Sequence, residues 1–287
     1  MKKNKKQYYE VSERKNYFNV SEGAKHAYVI LSILCMFIPF ILMLMLSLKD
    51  KKQVIYEFFS LNGPYHFENY KKAFEVVMPL IKNSLIMAIG TMALAVLLAT
   101  LAGYAFGKLD FPLRKVMFGI IFAKMMIPGI MNLIPSFTLA MKMGILDTYL
   151  PVILFGAGTA MPYWVFVMTT FVKSQPTELF ESMRLDGAHE LQIYSHLAIP
   201  LLKPMIALMG MNVFLSVWND YIWPLVTIST PEKRPITVGI AMLSGSYPGE
   251  TGMLAAAYAV SSLPLIILFA VSMKQFVAGL SAGSIKL

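Results

Sequence analysis

The chain has 287 residues, of which 57% are hydrophobic and only 14% are charged, against about 25% charged residues in an average soluble domain. The mean hydropathy is +0.61, and the apolar residues form long blocks, which excludes an ordinary soluble core. The net charge of +9 is explained by the basic loops of a membrane protein, so nucleic acid is not expected as a partner.

Six stretches of the chain are long and apolar enough to span a bilayer, which takes about 20 predominantly apolar residues. They cover residues 27–48, 84–106, 116–141, 150–172, 205–228 and 253–273. The first stretch is too long for the apolar part of a cleaved signal peptide, so we expect it to be retained. The sequence therefore predicts an all-α membrane protein with six transmembrane helices.

The distribution of Lys and Arg residues predicts which loops lie inside the cell. With the N-terminus inside, 15 of the 25 basic residues fall on the inner side and 9 on the outer side. We predict residues 1–26 as a basic cytoplasmic tail, 27–278 as the membrane domain and 279–287 as a cytoplasmic C-terminal tail. Residues 49–83, 142–149 and 229–252 then lie outside, and residues 173–204 form a cytoplasmic loop between the fourth and fifth helices.

Two patterns accompany the second span. In the preceding loop, Phe67, Tyr70 and Phe74 lie on one face of a predicted short helix, which either rests on the membrane surface or docks a partner. Within the span, small residues recur at four-residue spacing and predict a seam where another helix packs closely. They are Thr91, Ala95, Ala99 and Gly103.

The third span is irregular. Pro128, Gly129 and Pro135 weaken its helix, which is tolerated where the freed backbone groups meet protein or a wet cavity. Lys124 and Asn132 lie in the same span, and an ionisable residue there indicates a functional site. Because Lys124 is close to the inner end, our preferred interpretation is that its ammonium extends toward water.

Polar and aromatic residues also cluster late in the fifth span, in the stretch "FLSVWNDYIWP". The carboxylate of Asp220 must face a partner or a wet cavity at that depth, either to bind substrate or, as we prefer, to brace the neighbouring helix. Asn, Asp, Ser and Tyr beside aromatic rings suit a sugar, although Tyr221 and Trp223 alone are typical of an interfacial aromatic belt. The predicted translocation pathway comprises Asn132, Trp218, Asn219, Asp220, Tyr221, Trp223, Tyr258 and Ser261.

The stretch "TELFESMRLDGAHELQIYSHLAIPLLKP" interrupts the apolar sequence with a polar, helix-forming segment. It predicts a short helix, a turn at Gly187 and a second helix that Pro200 ends. Its apolar positions recur at helical spacing, as in helices that dock into a groove of another protein. A solvated surface hairpin is the alternative.

This segment resembles the coupling loop, often called the EAA loop, of permease subunits of ATP-binding-cassette importers. The pattern stands here as Glu181-Ser182-Met183, Asp186-Gly187-Ala188 and Ile199-Pro200-Leu201. The stretches "NSLIMAIG", "AGYAFGKLDFP", "MMIPG", "MGILDTYLP", "VWNDYIWPL" and "VAGLSAGSIKL" are similar to the carbohydrate importers of the maltose type, specifically to their second membrane subunit. The resemblance covers nearly the whole chain.

The resemblance implies a permease subunit of a binding-protein-dependent sugar importer in the bacterial cytoplasmic membrane. Its partners would be a homologous permease, two ATPase subunits that bind ATP and magnesium, and an extracytoplasmic sugar-binding protein, with membrane lipid around them. The chain itself would hold no cofactor and no catalytic or metal site. The implied coupling residues are Glu181, Ser182, Met183, Arg184, Leu185, Asp186, Gly187, Ala188 and Pro200.

Two other classes of protein remain as alternatives. A self-sufficient secondary transporter or channel for a small polar solute would carry ion-coupling carboxylates in its spans, and Asp220 is the only one that qualifies. A membrane enzyme would need clustered His, Asp or Glu residues at one face, whereas the four histidines lie in different loops. We therefore predict a transporter subunit.

Overall fold

A computed structural model of the protein describes residues 20–284, and for residues 20–22, 272 and 274–284 it describes the backbone alone. Within this range the chain forms twelve α-helices and no strand, which confirms the all-α prediction. The helices are α1 (Val20–Ser47), α2 (Lys51–Tyr56), α3 (Glu68–Lys108), α4 (Arg114–Met125), α5 (Leu133–Lys142), α6 (Leu150–Lys173), α7 (Thr177–Leu185), α8 (Glu190–Ile193), α9 (Ile199–Trp218), α10 (Ile222–Thr227), α11 (Ile236–Ser246) and α12 (Thr251–Ser284).

Five helical segments in the described range are long and apolar enough to cross a membrane. They lie in α1, α3, α6 and α12 and in the run Glu190–Trp218, which joins α8 to α9. Helices α4 and α5 meet at 104° and make a sixth crossing if they form one span. The six-helix prediction is thus confirmed, but the windows 116–141 and 205–228 are not continuous helices.

Helix α3 is the central element, and it packs against α6, α9 and α12. It begins at Glu68, so the predicted short helix around Tyr70 was wrong and is instead the first turns of α3. The predicted seam is confirmed, since Ala95 and Ala99 are fully buried. A Cβ atom on Gly103 would lie 2.4 Å from Cβ of Met168 in α6, so the two backbones almost touch.

The bend between α4 and α5 follows from local hydrogen bonding. The amides of Met126 and Ile127 bond three residues back, to Ala123 and Lys124, which tightens and ends α4. Pro128 has no amide hydrogen and an extended ψ of 131°, and it turns the chain into a 3₁₀ turn at Gly129–Asn132. The irregularity predicted for the window 116–141 thus takes the form of a sharp bend at Pro128.

A second break follows Trp218 at the end of α9. A carboxylate oxygen of Asp220 accepts the amide of Trp223 at 3.4 Å, and the Asp220 carbonyl accepts the Thr237 hydroxyl at 2.6 Å. These bonds stabilise a non-helical linker before α10, because a side-chain acceptor satisfies an amide left free at a helix start. Asp220 therefore lies in the break and not inside a continuous fifth helix.

Pro200 does not end a helix, contrary to the prediction from the sequence. A π-helical turn at Tyr194–Ala198 connects α8 to α9, and Pro200 lies in the first turn of α9. The wider π turn leaves room for the proline ring, which would clash with the preceding turn of a regular α-helix. The segment that follows α7 therefore continues from α8 into α9 as one helical run.

Helix α11 was not predicted. It packs so closely against α3 that a Cβ atom on Gly239 would lie 2.3 Å from Cδ1 of Leu80. At the termini, α1 begins at Val20 and α12 extends to Ser284. Residues 1–19 and 285–287, which belong to the two predicted tails, lie outside the described residues, and the predicted domain boundaries stay predictions.

Candidate functional site

One cavity, of about 430 Å³, is lined by the 3₁₀ turn and α5, by α6, and by the end of α9 with α10. We call it the main cavity because polar groups from all three regions line it, although it is not the largest by volume. Polar stripes of residues at four-residue spacing line it from three parts of the chain, each within or directly beside a helix, where this spacing keeps side chains on one face. The stripes are Asn132 and Ser136, Thr159 and Tyr163, and Asn212, Ser216 and Asp220. Hydroxyl, amide and carboxylate groups from separate helices thus converge on one space.

Aromatic rings complete the lining of the main cavity. The Trp223 indole donates to the Pro151 carbonyl at 3.1 Å, and its ring lies 5.2 Å from that of Phe155. Tyr163 and Trp164 meet edge to face with ring centres 5.1 Å apart. Rings held in this way present apolar faces next to hydrogen-bonding groups, an arrangement that fits a polyhydroxylated ligand.

The structure brings together three of the eight predicted pathway residues, namely Asn132, Asp220 and Trp223. Elsewhere, Trp218 is 3% exposed and stacks on Phe214 in the core. The remaining four do not line the main cavity. Asn219 and Ser261 donate hydrogen bonds to the backbone carbonyls four residues earlier, those of Leu215 and Ala257. Tyr221 and Tyr258 are exposed. Their pathway roles stay predictions.

Sequence reasoning missed five members of the cavity with a hydroxyl or amide group, as well as the rings of Phe155 and Trp164. A search for polar residues at four-residue spacing would have found the stripe that leads from Asn212 to Asp220. Ser and Thr are common in membrane helices, where they bond their own backbone, so their presence alone carries little information. The five residues with a hydroxyl or amide group are Ser136, Thr159, Tyr163, Asn212 and Ser216.

Lys124 does not extend toward the inner end of α4, so the preferred interpretation from the sequence was wrong. Its ammonium donates to the side-chain oxygen of Asn132 at 2.7 Å, across the bend. It lines a side cavity of about 470 Å³ that shares Gly129, Asn132 and Tyr163 with the main cavity. A lysine near the centre of a membrane helix costs about 3 kcal/mol on insertion, which the hydrogen bond to Asn132 reduces.

The loop between α6 and α9 is ordered as predicted, as a helix, a turn and a second helix. Gly187 has φ +84°, a left-handed conformation that glycine adopts without strain. The Ala188 amide bonds the Met183 carbonyl at 3.0 Å, which closes the end of α7 in the usual glycine-dependent way. The turn therefore depends on glycine at this position.

One side of the loop is attached to the end of α3. Phe180 is fully buried beside Tyr104, with the Lys108 ammonium 4.6 Å from its ring centre. Arg184 donates to the Glu190 carboxylate at 2.8 Å, and the Tyr104 hydroxyl donates to the same carboxylate. The carboxylate raises the pKa of Arg184 above its ordinary value. We call the trio of Tyr104, Arg184 and Glu190 the inner clasp.

The opposite side of the loop is free within the described chain. Leu185 is 89% exposed and Leu191 is 67% exposed, and two apolar side chains in such positions are typical of a docking surface. Of the predicted coupling residues, Met183, Arg184 and Ala188 are half-buried against α3 and the second helix of the loop. The exposed ones are Glu181, Ser182, Leu185, Asp186, Gly187 and Pro200.

The broken membrane helices, the polar cavity between them and the protruding loop define a subunit of a multi-pass membrane transporter. Residues 95–281 match the family of binding-protein-dependent transport system inner membrane components. The chain belongs to this family. It is therefore an inner membrane component of a transport system.

Individual relatives agree with this assignment. The maltodextrin transport system permease protein of Bacillus subtilis is 32% identical over 230 residues, which cover 78% of this chain and 82% of the relative. The melibiose/raffinose/stachyose import permease protein of the same organism is 29% identical over 253 residues, covering 87% and 91%. A crystal structure of a bacterial ABC transporter involved in the import of the acidic polysaccharide alginate matches with a TM-score of 0.79 and 23% identity, covering 94% of this chain and 99% of that one. The last similarity shows a shared fold.

Proposed function

We propose that the chain is one of two permease subunits of an ATP-driven importer for a sugar or an oligosaccharide. The named relatives are permeases for maltodextrin and for melibiose, raffinose and stachyose, and the main cavity combines hydroxyl-binding groups with aromatic faces. A homologous permease completes the pathway, and a binding protein outside the cell delivers the sugar. Two cytoplasmic ATPase subunits bind ATP and magnesium, since this chain has no Gly-x-x-x-x-Gly-Lys-Ser/Thr loop.

The observation that carries the proposal is the loop that begins with α7. It exposes Leu185 and Leu191 on one side and is attached by the inner clasp to α3 on the other. It also continues without interruption through the run Glu190–Trp218. A solvated hairpin would have no reason to combine an exposed apolar edge with rigid attachment to two membrane helices.

This continuity suggests how the loop acts on the pathway. When ATP closes the ATPase subunits, they displace α7 and its turn. The displacement passes through the π turn into α9, which carries Asn212 and Ser216 in the cavity wall and is followed directly by Asp220 in the same wall. The cavity then opens alternately to the two sides of the membrane. Asp220 acts in this scheme mainly as a brace, because its carboxylate already accepts an amide of α10.

The other sequence-based alternative, a self-sufficient secondary transporter or channel, does not account for the loop. Membership of a binding-protein-dependent family is also at odds with it. A secondary transporter or channel would import solute without ATPase subunits. Uptake by vesicles that contain only the permeases therefore distinguishes the two functions.

Leu185→Glu tests the coupling surface. Because Leu185 packs against almost nothing in this chain, the change should leave the fold intact and weaken ATPase docking, reducing uptake at least about tenfold. Leu61→Glu is the matched control, since Leu61 is 70% exposed at the opposite end of the molecule. Co-purification of the ATPase subunits and uptake in cells are the measurements. Normal uptake by Leu185→Glu at normal expression would refute the coupling role.

A panel of mono- and oligosaccharides tests the sugar specificity. The purified complex with its binding protein, in lipid vesicles, should hydrolyse ATP faster in the presence of at least one sugar of the panel. If amino acids, peptides or metal ions stimulate it and no sugar does, the sugar assignment is wrong although the family assignment stands.

A further inference from the structure

Lys124 has no role in the function proposed above. It lies ten residues along α4 from Arg114, or about 15 Å at 1.5 Å per residue, which is about half of a 30 Å hydrocarbon layer. The helix breaks directly after it, at a bend of 104°. Discontinuous helices near the centre of the membrane are where transporters commonly bind their substrates.

The surroundings of Lys124 form an open space with the shape of a binding site. The side cavity is bounded by Gly129 and Gly158, and a Cβ atom on either glycine would meet nothing within 4 Å. The hydroxyl-bearing Thr159 and Tyr163 lie in the same wall. Tyr163 is 52% exposed, so its ring is available to a ligand beside the ammonium.

No carboxylate in the described part of the chain neutralises the positive charge of the Lys124 ammonium. Lys124 is bonded to a neutral amide, that of Asn132, and it forms no ion pair with a carboxylate there. Asp220, the acidic residue of the adjoining main cavity, directs its carboxylate to the amide of Trp223. The two cavities share lining residues, and the ammonium beside them is paired with no carboxylate of the described chain.

We propose that the Lys124 ammonium binds a carboxylate of the transported solute, so that the substrate is an acidic sugar or an oligosaccharide with uronic acid units. The Tyr163 ring covers the apolar face of the sugar, and Asn132 holds the ammonium in position. This inference rests on the proposed function, because it names the substrate class of the same pathway. Lys124 is then the residue that selects for charge within the membrane.

The test compares an oligosaccharide that contains uronic acids with its carboxyl-reduced form, in which each carboxylate is replaced by CH₂OH. Uptake of both is measured in vesicles that contain the full complex and its binding protein. We expect Lys124→Gln to reduce kcat/KM for the acidic form about tenfold and to leave the reduced form within about twofold, while Lys124→Arg preserves the preference. Because every variant uses the same binding protein, the preference of that protein cancels.

Lys142→Gln is the matched control, since Lys142 lies at the far end of α5 and lines neither cavity. An equal loss of both forms in Lys124→Gln would overturn the inference and indicate that Lys124 pairs with a carboxylate of the second permease. Transport of neutral sugars alone by the parent would also overturn it while the proposed function stands. If neither acidic nor neutral sugars are transported, the proposed function itself fails.

Discussion

At the scale of single residues, Gly103 shows how closely two membrane helices approach. A methyl group there would lie 2.4 Å from Cβ of Met168 and 3.1 Å from its carbonyl carbon, so α3 and α6 would have to separate. We predict that Gly103→Ala destabilises the protein by about 1–3 kcal/mol through overpacking. Thermal unfolding in detergent measures the change.

Gly119→Ala is the control for this prediction. Gly119 lies in α4, and a Cβ atom there would meet nothing within 4 Å. Both substitutions gain the same helix propensity, about 1 kcal/mol, so the difference between them reports the steric contact. Equal unfolding temperatures for the two variants would show that the seam can relax at no cost.

Asp147 ties two loops together at the other end of α6. It has φ 56°, and its carboxylate accepts the amides of Ser229 and Thr230 at 3.0 and 2.8 Å. The hydroxyl and amide of Thr230, together with the Lys233 ammonium at 3.2 Å, lower the pKa of Asp147 to about 2. In an unfolded chain the same carboxyl has a pKa of about 3.9.

The lowered pKa gives this contact a defined pH dependence. Its contribution to the free energy of unfolding is fully present above about pH 5 and is lost as the pH falls through the folded-state value near 2. We predict that the difference in unfolding temperature between the parent and Asp147→Asn is constant from pH 5 to 8 and shrinks below about pH 4. A difference that grows toward acid would contradict the assignment of this carboxylate.

At the scale of the elements, the inner clasp connects the loop between α6 and α9 to α3. The Tyr104 hydroxyl donates a hydrogen bond to the Glu190 carboxylate. Next to it, the hydroxyls of Thr100 and Tyr194 are hydrogen-bonded at 2.8 Å. We predict that Tyr104→Phe loosens the loop by about 1 kcal/mol, because the ring stays in place and only the hydroxyl is lost. Hydrogen exchange of residues 184–193 should become faster.

Sugar uptake by the Tyr104→Phe variant distinguishes two roles of the loop, namely its attachment to α3 and its binding of the ATPase subunits. Uptake should fall several-fold while the ATPase subunits still co-purify, since the exposed edge around Leu185 is unchanged. Tyr149→Phe serves as the control, because its hydroxyl bonds Asn83 at 2.7 Å in the first half of α3, whereas Tyr104 lies near the end of that helix. Similar exchange rates in the loop for parent and Tyr104→Phe would show that the clasp does not hold it.

The elements that the sequence predicted correctly are those with a single continuous apolar run. Helix α6 (Leu150–Lys173) differs from its predicted window by one residue. Helix α3 was predicted to be shorter, because its first turns contain Glu68, Lys71 and Lys72 and resemble a loop by hydropathy alone. The irregularity of the third span was predicted from Pro128 and Gly129, and the bend lies there. Helix α11 and the break after Trp218 were missed, because apolar composition alone does not show where a chain of apolar residues changes direction.

At the scale of the whole molecule, the cavity depends on three helices that lie far apart in the sequence. The polarity of Asn132, Asp220 and Trp223 at membrane depth could be recognised residue by residue. The orientation of Lys124 and the common direction of the three polar stripes could not, because both depend on the bend between α4 and α5 and on how α6 and α9 pack. Local sequence thus identifies polar residues in spans, and packing decides which of them meet.

The proposed functions all require that the loop between α6 and α9 lies on the cytoplasmic side of the membrane, and this orientation is a prediction. Lys108, Arg114 and Arg184 lie together at the end that carries the coupling loop, and basic residues favour the cytoplasmic side. We predict that an impermeant maleimide labels Leu61→Cys in intact cells and labels Glu181→Cys only after permeabilisation. Both positions are exposed, and Cys35→Ala in the background removes the single native cysteine. Labelling of Glu181→Cys in intact cells would place the loop outside, where no ATPase could reach it, and the coupling mechanism would have to be abandoned.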